Sequence, residues 1–193
     1  GKTTTTLMLG SILRQRDAST VIAGNLRVSA LELLPRISAT TPVVLELSSW
    51  QLEGLEPHRL SPHIAVVTNI TPDHLNRYRD FTAYVAAKAT IVRWQADDDV
   101  AVLNRDDPVA ASLVDDGRGH ILWFSRRQPV AGVYCDGPDI VVDWQGRRQT
   151  LARRSDVQTP GDHNLENALA ACAAAVAWGA DVDAIAAGLR AFP

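Results

Sequence analysis

No apolar run in this sequence approaches the length needed to span a bilayer, so a membrane-spanning helix is excluded. Cysteine is scarce: the chain has two, Cys135 and Cys172, far apart and in no metal-ligand pattern. They read as ordinary buried thiols in a reducing cytoplasm, which is the expected location. Basic charge is not in excess. A net charge of -3 argues against a general nucleic-acid binder, and no nucleic-acid partner is expected. Internal repeats and low-complexity tracts are also lacking. What remains is 193 residues, 46% hydrophobic and 21% charged, enough for one globular domain with a real core.

The chain opens mid-motif with GKTTTT and closes with GLRAFP at a turn, so a piece of a longer protein is expected. Residues 3–14 alternate small and apolar groups with helical spacing, which puts Gly1-Lys2-Thr3 at a helix start. STVIAGN (19–25), TPVVLELSS (41–49), HIAVVTNIT (63–71) and DVAVLNRDD (99–107) read as strands. The runs at 41–49 and 63–71 are continuously apolar, which predicts burial on both faces, as in a parallel sheet. VSALELLPRI places Val28, Leu31 and Leu34 at helical spacing until Pro35 interrupts. FTAYVAAKATIVRW (81–94) is a second helix. This alternation predicts an α/β fold, a mostly parallel sheet flanked by helices. From about 120 to 158, short β-rich segments separated by Gly or Pro predict a small antiparallel sheet. HNLENALAACAAAVAWG (163–179) and VDAIAAGLRAF predict two closing helices, the first tightly packed because it is rich in alanine.

Several clusters carry chemistry, each with a plainer structural reading beside it. Gly-Lys-Thr before a helix is the end of a phosphate-binding loop, where backbone N–H groups and the helix dipole favour an anion. Lys2 would reach the terminal phosphates and the Thr3 hydroxyl would sit on Mg²⁺; otherwise Lys2 only begins a capped helix. Glu46 closes an apolar strand, at the kind of strand end where α/β sheets bind ligands, and a carboxylate there suits Mg²⁺. It could equally be a solvated strand-end acid. Ser48, Ser49 and Gln51 could orient a substrate or simply cap a loop. Asp73 and His74 follow another strand end, as a metal ligand pair or a turn. Lys88 lies on the apolar part of a helix, snorkelling to the surface or held near metal and phosphate. His163, Asn164 and Asn167 open a helix; the two Asn share one face, where they could read a base edge or cap the helix.

Taken in order, GKTTTT, Gly24-Asn25, ELSSWQLE (46–53), NITPDHLNRY (69–78), YVAAK (84–88), LNRDD (103–107) and GDHNLENALAA (161–171) resemble the Mur ligases over nearly the whole chain. ELSSWQLE is most similar to the branch that joins D-glutamate to UDP-N-acetylmuramoyl-L-alanine. The resemblance implies the central ATP-binding domain, here 1–193, of a three-domain monomer, without its N- and C-terminal domains. It implies ATP at Gly1, Lys2, Thr3, Thr4, Asn164 and Asn167. It implies one Mg²⁺ at Thr3 and Glu46, and a second at His74 and Lys88, with Lys88 as a carbamate and Asp73 in support. Asn25, Ser48 and Gln51 would face the muramoyl substrate. Lys2, Glu46, His74 and Lys88 form the implied catalytic set. The chain departs from the family pattern after Gly24-Asn25, where Leu26-Arg27-Val28-Ser29 replaces Ile-Gly-x-Pro; Arg27 is expected to meet a substrate phosphate or carboxylate. Asn76 stands where Asp is common. The rival readings are another Mur-type or folylpolyglutamate-like ligase, and a nucleotide-binding module without catalysis. The isolated 193 residues are expected to turn over ATP weakly or not at all.

Overall fold

The computed structural model describes residues 1–26, 29–72 and 77–193. The first half alternates α1 (Lys2–Arg14), β1 (Val21–Gly24), α2 (Ala30–Leu33), β2 (Val43–Glu46), α3 (Ser49–Leu55), β3 (Ile64–Val67) and α4 (Phe81–Arg93). It continues through β4 (Val100–Asn104), α5 (Pro108–Ala111) and β5 (His120–Ser125). Three strands follow, β6 (Gly132–Asp136), β7 (Asp139–Trp144) and β8 (Arg147–Arg153), and then α6 (Asp162–Trp178) and α7 (Val182–Ala191).

Among the described residues the strands form two sheets. One is a parallel pair, β1-β2, and the other runs β3-β4-β5-β6-β7-β8. The β3 to β6 pairings are parallel and the last two are antiparallel. The fold is therefore α/β with a mostly parallel sheet flanked by helices, as the alternation predicts. The antiparallel part begins later than residue 120. The segment ILWFS belongs to β5, which runs parallel to β4, and β6 to β8 extend the same sheet rather than forming another. An apolar run marks a strand but carries no information about its partner's direction. Positive φ at Gly137, and at Gln145 with Gly146, makes the two tight hairpin turns.

Two cores sandwich the main sheet. On one face α1, α6 and α7 pack Met8, Ile12, Leu169 and Ile185 onto Val102, Leu122 and Phe124. On the other, α4 packs Tyr84, Ala89 and Val92 onto Ala65, Ala101 and Leu103. The middle of helix α6 is enclosed on every side: Ala168, Ala170, Ala171, Ala173 and Ala175 all have no exposure. Alanine lets neighbouring elements approach the helix axis closely, which is why this helix shows no polar face. Gly188 of α7 serves the same end. A Cβ there would lie 2.4 Å from the Ile12 Cα, and the close contact lets Ser11 Oγ donate to the Gly188 carbonyl at 2.8 Å.

The expectation of burial on both faces fails for β2 and is met only in part by β3, whose residues alternate half-buried and buried; β4 is the strand buried throughout. Val43 and Leu45 are 40% and 43% exposed. They border a cleft of about 220 Å³ that also takes in Lys2, Glu46, Ile64 and Val66, so it lies between the end strands β2 and β3 of the two sheets, against α1.

Side-chain ties fix the helices that frame this cleft. Glu56 accepts from Thr90 Oγ1 at 2.7 Å, Trp94 Nε1 at 3.1 Å and Arg93 at 3.2 Å, binding the end of α3 to α4. These donors, Thr90 first, hold its carboxyl below the usual range. At the start of β3, His63 Nδ1 lies 2.6 Å from Asp99 Oδ1. The hydrogen bond to Asp99, then its charge, raises the imidazole above its ordinary value of 6.5. A raised folded value means a contribution complete below pH 6.5 and lost as pH climbs through the folded value. The His63 ring is 97% exposed, so the effect is small. The melting temperature should fall slightly between pH 6 and 9, and His63→Gln should flatten that slope. Equal slopes for the two proteins would show that the pair contributes nothing.

Candidate functional site

Helix starts distinguish one region of the molecule. Helices α2, α3, α4, α5 and α7 are capped by Ser29, Ser48, Asp80, Asp107 and Asp181. Helices α1 and α6 begin at Gly1 and Gly161 with no side-chain cap. A helix start without a side-chain oxygen leaves first-turn N–H groups available to an outside acceptor. These two helices pack against each other, and they are the two that the sequence reading links to ATP.

Glu46 is the centre of the site at the start of α1. It ends β2, in register with Gly24 at the end of β1, and is 4% exposed. Thr3 Oγ1 donates to Glu46 Oε2 at 2.7 Å, and Asn25 Nδ2 donates to Glu46 Oε1 at 3.0 Å. The Asn25 backbone N–H donates to the Glu46 carbonyl at 2.8 Å. Gly24 makes this approach feasible: its φ is +99°, and a Cβ there would lie 2.2 Å from the Glu46 carbonyl oxygen. Thr3, Asn25 and Glu46, chosen from separate motifs, thus meet at the carboxyl ends of two parallel strands. Lys2 borders the same cleft as Glu46, while Gly1 is the exposed N-cap and Thr4 is half-buried.

The second uncapped helix contributes a buried chain of amides. Asn164 Nδ2 donates to the Pro160 carbonyl at 2.8 Å, Asn167 Nδ2 to Asn164 Oδ1 at 3.3 Å, and Thr5 Oγ1 to Asn167 Oδ1 at 3.2 Å. Arg126 braces this helix start from β5, pairing with Asp162 at 3.0 Å and Glu166 at 3.2 Å. Its own backbone N–H donates to Asp106, which also accepts from Ser125. The LNRDD segment therefore serves as scaffold, since Asn104 likewise donates to the Thr68 carbonyl and Asp107 caps α5.

The other candidates are placed as follows. Ser48 and Gln51 form a capping box at the start of α3: Ser48 N–H donates to Gln51 Oε1 at 2.8 Å, and Gln51 N–H to Ser48 Oγ at 3.3 Å. Lys88 lies on α4 with its Nζ 4.8 Å from the centre of the Tyr84 ring. Arg27, Asp73, His74 and Asn76 lie outside the described residues. Among the described residues no three His, Cys, Asp or Glu side chains form a metal cluster. The Thr3 hydroxyl and Glu46 carboxylate are hard oxygen donors on one spot. They suit Mg²⁺, which takes few protein ligands and keeps water and phosphate for the rest. Lys88 as an ammonium has no lone pair for a metal. Cys172 is fully buried and its thiol is pushed up to about 12 by burial, so it takes no part.

Thr5 and Arg126 were not singled out in the sequence. Thr5 had a signal: four β-branched threonines in the first turns of a helix oppose helix propensity, so their hydroxyls are there for another purpose.

Residues 1–175 match the Mur ligase middle domain. The chain is 46% identical over 202 residues to a UDP-N-acetylmuramoylalanine–D-glutamate ligase of Roseiflexus sp. (strain RS-1), covering 100% of this chain and 43% of that protein. It is 42% identical to the protein of the same name from Pelotomaculum thermopropionicum, over 100% of this chain and 42% of that one. Among solved structures, MurF from Acinetobacter baumannii matches with a TM-score of 0.74 at 26% identity, over 100% of this chain and 44% of that chain. This chain thus spans less than half the length of these relatives.

Proposed function

This chain belongs to the Mur ligase family, and on that premise we propose that it is the central ATP-binding domain of a ligase joining D-glutamate to UDP-N-acetylmuramoyl-L-alanine in peptidoglycan synthesis. The observation that carries the reading is the meeting of Thr3, Glu46 and Asn25 beside the uncapped start of α1. The cleft between β2 and β3 supports the domain assignment. A phosphate loop joins a strand to a helix. A parallel strand entering Gly1 through such a loop would have its seat between those two strands, with α1 covering it.

In this reading ATP phosphorylates the terminal carboxylate of the muramoyl substrate to an acyl phosphate. The D-glutamate amine then attacks the carbonyl and phosphate leaves. Negative charge gathers on phosphoryl oxygens, so the site needs placed cations and donors rather than a protein nucleophile. Lys2 and the first-turn N–H groups of α1 hold the phosphates. Thr3 and Glu46 would hold Mg²⁺, which supplies charge neutralisation when bound. Asn25 keeps one Glu46 oxygen oriented, leaving its own carbonyl oxygen for the substrate. Asn164 and Asn167, at the second uncapped helix, face the base. Ser48 and Gln51 shape the substrate side through the capping box that orients α3. The protein acts as a cytoplasmic monomer.

A carbamate on Lys88 would turn a cation into an oxygen ligand, the form a second metal position beside His74 requires. The Tyr84 ring favours the unmodified ammonium, so the carbamate should form only with metal and bicarbonate present. Crystals of the full-length ligase grown with both should show branched density at the Lys88 tip; an unbranched tip with metal bound would reject the modification.

The function itself is tested by phosphate release from the full-length protein with ATP and UDP-N-acetylmuramoyl-L-alanine. Release that depends on D-glutamate is expected. Release with a different amino acid would keep the chemistry and overturn the substrate, and silence with every amino acid would leave a nucleotide-binding module.

A further inference from the structure

Thr5 donates a hydrogen bond to Asn167, the last link of a buried amide chain that begins at the Pro160 carbonyl. We propose that Thr5 is a positioning residue for nucleotide binding: its hydroxyl proton locks Asn167, and through it Asn164, in the orientation that meets the base. This rests on the ATP reading above and adds a connection from the phosphate helix to the base side of the site.

The polarity of the chain follows from its two ends. The Pro160 carbonyl can only accept, so Asn164 must turn its NH₂ toward it. That turns Asn164 Oδ1 toward Asn167, which must answer with its own NH₂. Asn167 Oδ1 is then left facing α1, in a residue that is almost wholly buried. A buried acceptor needs a donor, and the Thr5 hydroxyl is the group that supplies it. A threonine within a helix commonly turns its hydroxyl back to the carbonyl four residues earlier. Here the Gly1 carbonyl takes the Thr5 backbone N–H, and the hydroxyl reaches across to α6 instead. With each amide oxygen and one N–H engaged in the chain, each amide keeps one N–H for a ligand. The pair is thereby set to offer donors, which suits the ring nitrogens of a purine.

Thr3 and Thr5 divide the work on α1. Thr3 points to Glu46 at the strand ends, and Thr5 to Asn167 on the neighbouring helix. The Thr5 hydroxyl makes the hydrogen bond that joins the phosphate helix to the base-reading amides, within the packed α1–α6 contact.

The test uses the full-length ligase. Thr5→Val keeps the shape and removes the proton; Thr5→Ser keeps the proton. Thr5→Val should raise the KM for ATP by about tenfold, the scale of one lost hydrogen bond, with kcat nearly unchanged. Inhibition by inorganic tripolyphosphate, which has no base, should stay as in wild type. Thr5→Ser should restore the KM. An unchanged KM in Thr5→Val would overturn the proposal. Equal weakening of ATP and tripolyphosphate would also overturn it, because Thr5 would then act on the phosphate helix alone. A wild-type enzyme that fails to bind ATP would reject the ATP reading itself, and this inference with it.

Discussion

Glu46→Gln in the full-length ligase is expected to lower kcat by on the order of 10²–10³-fold, the scale of losing one group that stabilises developing charge. The substitution keeps the size of the side chain and its two hydrogen-bonding positions. Gln Oε1 can still accept from Asn25, and Gln Nε2 can donate to the Thr3 hydroxyl, which rotates to suit. Only the negative charge is lost, so folding stability should change by no more than about 1 kcal/mol. The expected signature is a large loss of turnover, a melting temperature close to wild type, and a need for far more Mg²⁺ to reach half-maximal rate. If turnover is nearly kept, Glu46 is a structural acceptor for Thr3 and Asn25 and not part of the chemistry. If the protein unfolds, its role in joining β1, β2 and α1 outweighs its role in the site.

The legible parts of this molecule were those governed by local chemistry. A Gly-Lys-Thr before a helical pattern placed the start of α1, where phosphate is proposed to bind. An apolar run ending in a polar residue placed Glu46 at the carboxyl end of β2, the end at which open parallel sheets bind ligands. Ser48 and Gln51, read as loop-capping groups at the end of a strand, instead form a capping box that starts α3 at Ser49. What the sequence hid was long-range. Thr5 and Asn167 are 162 positions apart, and Arg126 reaches Glu166 across 40. No local periodicity encodes such pairs. The direction of β5 was hidden for the same reason, since a strand's residues report burial and not which neighbour it joins. The exposure of Val43 and Leu45 was equally unreadable, because it depends on the cleft beside β2 and not on β2 itself.

Gly24→Ala should destabilise the protein by about 2–4 kcal/mol, one of the larger penalties a single methyl group can impose. Two costs add. At φ +99° an alanine is strained whatever the space around it. The new Cβ would also lie 2.2 Å from the Glu46 carbonyl oxygen, a backbone atom held by the β1-β2 ladder and by the Asn25 N–H. Relief requires the two strand ends to part, which carries the Glu46 carboxylate away from Thr3 and Asn25. Turnover should therefore fall along with stability, unlike Glu46→Gln, where turnover falls alone. Gly54→Ala is the control. That residue sits within α3 with nothing within 4 Å of an added Cβ, so the same substitution should stabilise by about 0.5–1 kcal/mol through helix propensity. Denaturant unfolding of the three proteins separates the cases. Opposite signs at positions 24 and 54 would show that the tight turn after β1 is what holds the Glu46 cluster together. A harmless Gly24→Ala would mean that the strand ends yield easily, and that the cluster is assembled by its ligands rather than built into the fold.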